Sequence, residues 1–190
     1  MSGREKALAG RHKLIRTCVW CELSKTRRSG VPGEGPLDPS VLLFGQSPGV
    51  EEDKSGRPFV GRSGRLLTGL IEEIGLRREE VFITSILKCH PPKNRPPKKG
   101  WINSCLPHSE AQVALIRPKS ILVLGQVALA GVSDFKSLAE GRMREFEWLG
   151  VPCFATYHPA AALRFPPLKD ELRRDFHTFR NWLSKQRILP

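Results

Sequence analysis

The sequence predicts an α/β fold with a mainly parallel sheet, and three observations carry that expectation. Short apolar runs such as residues 41–44 and 120–125 do not alternate with polar residues, which is the pattern of strands covered on both faces. Segments of helical periodicity fall between those runs, as strand–helix–strand crossovers require. A chain of 190 residues, 39% of them apolar, holds one domain with a sizeable core.

The elements follow in order. Residues 3–16 read as a basic helix leading into a cysteine pair. Residues 24–40, rich in Gly, Pro and Ser, form a loop. Residues 41–44 make the first strand, which ends at Gly45, and residues 45–62 a long Gly/Pro/charge loop. Ser63 is placed to cap a helix over 64–75. There Leu66, Leu67, Leu70, Ile71 and Ile74 share one face and Gly75 marks the stop. Residues 81–87 give the second strand and 88–100 a Pro/Lys/Arg loop. A helix is expected over about 107–116, a third strand over 120–125, a short helix over 126–130 and a fourth strand over 153–157. The last helix spans 169–186, with Leu172, Phe176, Phe179 and Leu183 inward. No internal repeat is visible.

Charge narrows the partners. Lys and Arg number 31 against 19 Asp and Glu, a net +12. A compact domain this basic favours a polyanion, and counterion release makes nucleic acid the leading class. No apolar run approaches the roughly 18–20 residues that cross a bilayer, and no basic amphipathic helix stands out, so no membrane partner is expected. The first residues lack the apolar core of a signal peptide, and the expected compartment is the cytoplasm.

Four of the five cysteines are arranged as Cys18-x-x-Cys21 and Cys89-x15-Cys105. In a reducing compartment such thiols read as metal ligands. Four sulfurs suit an iron–sulfur cluster or zinc, and residue chemistry leaves both open. Cys153, inside an apolar strand, reads as a small buried hydrophobe.

In parallel sheets ligands bind at the carboxyl ends of the strands. Here those ends carry Gly45-Gln46-Ser47-Pro48-Gly49, Ser85 to Cys89, Gly125-Gln126 and His158-Pro159. The first is a turn poor in side chains, which lets backbone N–H groups approach a ligand. It is neither a Walker motif nor a dinucleotide fingerprint. Glu51-Glu52-Asp53 follows, a carboxylate run able to position water or order an Arg loop. Phe59 lies in a glycine-rich segment, where a ring can stack on a planar base. His158 is placed to donate to a developing anion. After it, Ala160-Ala-Ala-Leu163-Arg164-Phe165 is a small-residue run ending in a bulky apolar tip with a cation, the makeup of a wedge that enters a base stack and equally of a helix start.

Taken in order, these motifs resemble the iron–sulfur-containing family 4 of the uracil-DNA glycosylase superfamily, over about residues 14–183. The markers are Cys18-x-x-Cys21, Gly45-Gln-Ser-Pro-Gly49 with Glu52-Asp53, Gly56-Arg-Pro-Phe-Val-Gly-Arg-Ser-Gly64, Lys88-Cys89-His-Pro-Pro, Cys105-Leu-Pro and His158-Pro-Ala-Ala-Ala-Leu-Arg164. The resemblance implies a three-layer αβα sandwich around a four-stranded, mainly parallel sheet. It implies a [4Fe–4S] cluster, rather than zinc, on Cys18, Cys21, Cys89 and Cys105. It also implies hydrolysis of an N-glycosidic bond in DNA after base flipping by a monofunctional enzyme. Phe59 then resembles the base-stacking aromatic, His158 the histidine that stabilises the departing pyrimidine, and 160–164 the intercalation loop. Tyr157 is expected to pack in the strand.

Two positions depart from the family pattern. Gln46 stands where the family has Glu, and an amide orients water but is a poor base. Ser85 stands where the family has an Asn that reads the uracil edge, and a hydroxyl cannot make the amide's paired bonds. The expected activity is therefore excision of uracil or of a modified pyrimidine, such as a bulky substituted cytosine. The alternative is a lesion- or abasic-site-binding protein of the same fold without catalysis. Water is expected to be positioned by Gln46, Ser47, Glu52 or Asp53. Gly45, Pro48, Phe59 and Ser85 shape the base pocket. Lys88, Lys93, Arg95, Lys98 and Lys99 in the basic loop are expected to track phosphates, as are Leu163 and Arg164 to meet DNA. The expected partner is DNA and the expected state a monomer.

Overall fold

The computed structural model describes residues 2–189. Helix α1 (Gly3–Thr17) starts at a capping box between Ser2 and Glu5 and buries Leu8 and Ile15. A 3-10 turn (Glu22–Lys25) leads through a long loop to strand β1 (Leu42–Gly45). Helices α2 (Val50–Ser55) and α3 (Arg62–Glu73) come next, and after a turn at Arg78–Glu80 strand β2 (Phe82–Ser85). A single turn at Pro92–Asn94 precedes α4 (Lys99–Ile116). Then come β3 (Ile121–Leu124), α5 (Gln126–Val132), α6 (Leu138–Gly141), β4 (Phe146–Trp148) and β5 (Val151–Thr156). Helices α7 (Pro159–Arg164) and α8 (Pro167–Lys185) close the chain.

The sheet order is β2-β1-β3-β5-β4, parallel except for β4. Successive strand residues face opposite sides. Leu43, Ile83, Leu122 and Phe154 meet Leu67, Ile71, Leu172, Phe176 and Phe179 of α3 and α8. Leu42, Phe44, Phe82, Ile121 and Val123 meet Leu8 of α1, Val113 and Ile116 of α4, and Leu129 of α5. Helices on both faces give the expected three layers. A third apolar group, Leu23, Leu87, Cys89, Trp101 and Cys105, sits beside the cysteines.

Where the structure departs from the sequence reading, local physics explains it. The sheet has a fifth strand, the antiparallel β4, beyond the four expected. It joins β5 through Leu149 and Gly150, both at positive φ (54° and 76°). That is the conformation of a two-residue hairpin turn, and Leu in place of Asn or Asp hides its usual signal. Helix α4 starts at Lys99 rather than near 107, with Pro107 inside it, because its opening Lys-Gly reads as loop. The 45–62 loop contains α2. Ser63 is not the cap of α3: the cap is Gly61, with no side-chain bond of its own. The 160–164 segment is helical, as α7, the helix start that the sequence also allows.

The outer side of β2 is covered. Glu34 and Ile83 exchange backbone bonds of 3.0 and 2.8 Å in an isolated antiparallel bridge. Among the described residues, no helix is long and apolar enough to cross a membrane.

Candidate active site

A cleft of about 450 Å³ opens at the carboxyl ends of β1, β2 and β5. Its walls include Gln46, Ser47, Pro48, Gly49, Phe59, Ser85, His158 and Arg164, all expected from sequence. Backbone bonds carry the strand pairing past β2, from Ile86 N–H to Gly45 O (2.9 Å) and from Leu87 N–H to Gln46 O (3.0 Å). The 45–49 turn is thereby registered on the neighbouring chain. Gly45 has no side chain for a steric reason: a Cβ there would lie 2.6 Å from Phe59 Cζ.

Phe59 is held in an unusual backbone state. Its φ is +49°, which costs a non-glycine residue about 1–3 kcal/mol. Two clamps hold it. Arg78 donates to Pro58 O at 2.7 Å and is itself fixed by Glu34 at 2.9 Å, which also takes Arg57 at 2.8 Å. On the other side Glu52 Oε1 accepts from Val60 N–H (2.8 Å) and Gly61 N–H (2.9 Å), and its Oε2 from Gly49 N–H (3.0 Å). One buried carboxylate thus ties the 45–49 turn to the Phe59 segment. The Phe59 ring then stacks on His158, with centroids 5.5 Å apart and planes 26° apart.

His158 caps α7. Its Nδ1 accepts from Ala160 N–H at 3.1 Å, so in the neutral ring the proton sits on Nε2. Burial lowers its pKa to about 4, against the opposing charge of Glu52. At neutral pH the ring is an uncharged donor. Behind it, Arg142 grips Asp175 at 2.7 and 3.0 Å, and Thr156 donates to Asp175 at 2.5 Å, locking the end of β5 to α8. Tyr157 packs against the core as expected, with the Arg142 guanidinium 4.5 Å from its ring centre.

Other expectations separate here. Asp53 does not line the cleft; its oxygens accept from Arg28 N–H at 3.0 and 3.2 Å. Glu52 lines the cleft, but its oxygens are committed to backbone donors. Gln46 and Ser47 make no side-chain hydrogen bond among the described residues and remain available to a water. Lys88 is 1% exposed and cannot touch phosphate, contrary to expectation. Lys93, Arg95 and Lys99 are exposed, and Arg95 borders the cleft. Lys98 is exposed but pairs with Glu22 at 3.0 Å and lies 4.9 Å from the Trp101 ring centre. Leu163 is 39% exposed and does not border the cleft, whereas Phe165, 54% exposed, does, with the Arg164 guanidinium 5.6 Å away. The apolar tip of this segment at the cleft is Phe165, the last residue of the run that the sequence singles out. Glu34, Arg78 and Asn94 were missed; nothing in periodicity marks them.

Cys18, Cys21, Cys89 and Cys105 line one small cavity with Trp20, Ser24, Lys88 and His108. Three of the sulfurs receive N–H groups. Cys18 meets Trp20 N–H (3.5 Å) and His108 Nε2 (3.2 Å), Cys89 meets Arg27 (2.9 Å), and Cys105 meets Lys88 N–H (3.3 Å). Such donors stabilise anionic sulfur, so the residues fit a thiolate-bound group. Among the described residues, no three His, Cys, Asp or Glu side chains gather closely enough to hold a single ion. Cys153 lies apart and fully buried, and burial pushes its thiol up to about 12.

Comparison with known proteins agrees with this geometry. The Uracil DNA glycosylase superfamily model matches residues 32–184. A type-4 uracil-DNA glycosylase of Pyrobaculum aerophilum is 39% identical over 183 residues, covering 88% of this chain and 90% of that protein. The one of Saccharolobus solfataricus is 40% identical over 184 residues, covering 92% and 85%. The one of Thermotoga maritima is 38% identical over 193 residues, covering 98% and 100%.

Proposed function

The chain belongs to the uracil DNA glycosylase superfamily, within its type-4 family, and from that premise we propose that it hydrolyses the N-glycosidic bond of a flipped pyrimidine in DNA. The observation that supports this most is the Phe59–His158 stack in a cleft beside Ser85 and a backbone-rich turn. A flipped base stacks on Phe59 within the cleft, with its edge toward Ser85. The bond from N1 to the sugar breaks and its electron pair stays on the base. His158 Nε2–H donates to the oxygen where that charge collects. A neutral donor suits this task, since it stabilises the anion by direct hydrogen bonding. Water, oriented by the Gln46 amide and Ser47, adds its oxygen to the sugar carbon, and its proton ends on the released base. Because charge builds on the sugar before attack, orientation of water matters more than a strong base, and an amide suffices.

The four cysteines are the ligands we assign to a [4Fe–4S] cluster. Four sulfurs lining one cavity, three of them receiving N–H groups, support a thiolate-bound group, and the type-4 kinship makes it the cluster rather than zinc. When bound, it supplies a rigid anchor joining the end of α1, the segment after β2 and α4. The substrate range follows from Ser85. The hydroxyl is shorter than an amide and leaves room at the base edge, so the pocket accepts substituted pyrimidines as well as uracil.

Single-turnover release of free base from duplexes carrying uracil or substituted pyrimidines tests the proposal. The wild type is expected to leave abasic sites. His158→Ala is expected to lose at least about 100-fold in rate with DNA affinity within about twofold, as removal of an anion-stabilising donor does. Loss of affinity with an intact rate would refute the assignment.

A further inference from the structure

Lys88 is almost completely enclosed, at 1% exposure, and among the described residues it has no carboxylate partner. A buried amine is costly, and an apolar side chain of the same length would pack at less expense. Its contacts show what the amine does instead. The backbone N–H of Lys88 donates to Cys105 Sγ at 3.3 Å. Its backbone carbonyl accepts from Val31 N–H at 2.7 Å. Its Nζ donates to Ser85 O at 2.7 Å and to Thr84 Oγ1 at 2.8 Å. Thr84 Oγ1 in turn donates to Pro32 O at 2.9 Å, an oxygen that also accepts from Gln112 Nε2 at 2.7 Å. Val31 and Ser85 both line the cleft, and Cys105 lines the sulfur cavity.

One residue therefore bonds to the cysteine cage on one side and to two walls of the base cleft on the other. We propose that Lys88 is a positioning residue that couples the cysteine cage to the base pocket, fixing Ser85 and Val31 and so setting which pyrimidine the pocket prefers. The inference rests on the reading of the cleft as a base pocket. Interiors are close-packed, so a displacement at Cys105 is felt at Ser85 through the enclosed Lys88. One Nζ bond holds the backbone carbonyl of Ser85, a residue of the cleft wall, and the other holds Thr84 beside it. Without them the strand end is free to shift, and discrimination at that edge is lost before chemistry is.

The test uses cluster-loaded protein and reads binding. Affinities are measured by anisotropy for duplexes carrying a non-cleavable 2′-fluoro uridine or a 2′-fluoro 5-substituted pyrimidine nucleotide, and the ratio of the two is the readout. Lys88→Met keeps the stem and removes the two Nζ bonds. It is expected to keep the visible absorption and iron content of the wild type while the ratio changes by up to about tenfold, the scale of one to two lost hydrogen bonds. Thr84→Val keeps Lys88 and removes the hydroxyl between Nζ and Pro32, and a change of about threefold in the same direction is expected. It decides the matter should Lys88→Met fold poorly. An unchanged ratio in Thr84→Val, or in Lys88→Met that retains its iron, overturns the inference. A wild type that binds neither 2′-fluoro duplex better than unmodified DNA overturns the functional reading itself.

Discussion

Replacing Glu52 by Gln separates two roles that a carboxylate in this cleft can play. The side chain accepts three backbone N–H bonds, at 3.0, 2.8 and 2.9 Å. An amide has one acceptor oxygen. It can retain Val60 and Gly61, but its NH₂ then faces the N–H of Gly49, donor against donor. Losing one charge-assisted bond of this kind costs about 1.5–3 kcal/mol. For a domain of this size each kcal/mol lowers the melting temperature by about 2–4 °C. A central value of about 2 kcal/mol gives a drop of about 4–8 °C, followed by circular dichroism on cluster-loaded protein. Because the reacting groups remain and only the Phe59 clamp loosens, the single-turnover rate should fall no more than about tenfold, in parallel with stability. A base that activates water would behave differently, with about 10²–10⁴ lost in rate and melting unchanged. That second pattern would refute the clamp.

Three further outcomes follow from the same geometry. Ser85→Asn restores an amide at the base edge and should raise the rate on uracil while lowering it on substituted pyrimidines; the opposite ranking removes Ser85 from base selection. Neutralising Lys99 should reduce the slope of log affinity against log salt by up to about one, whereas Lys98, already paired with Glu22, should change it little; equal effects would show that the Glu22 pair opens on DNA. The His158 pKa, lowered by burial from 6.5 to about 4, means that the unfolded chain takes up the proton first. Its contribution to stability is full above pH 6.5 and is lost as pH falls from 6.5 toward 4. The rate should show no His158 inflection near 6.5, and one that vanishes in His158→Ala would contradict the neutral donor.

The parts of the fold that obey periodicity were readable in advance. Strands at 41–44, 120–125 and 153–157 lie where continuous apolar runs place them, and Leu172, Phe176, Phe179 and Leu183 face the core from α8. The fifth strand escaped because Leu149 occupies a turn position that most sequences give to Asn or Asp, and three residues carry too little pattern to read. At the cleft, residues attached directly to strand ends were visible, among them Gln46, Ser85 and His158. Residues that act by holding others were not. Nothing in the order of residues reveals that Glu52 reaches back to Gly61, that Arg78 grips Pro58, or that Lys88 turns inward from a run of basic neighbours. Such pairings exist only once the chain has closed on itself.

Both rims of the sheet are finished off. On one side the stretch around Glu34 lies along β2 through its bridge to Ile83, and on the other β4 is only three residues long, with Glu147 at its centre opposite Pro152. An abbreviated strand with a charge at its centre is a poor template for another chain. Addition of a further strand is thus disfavoured at either rim of the sheet.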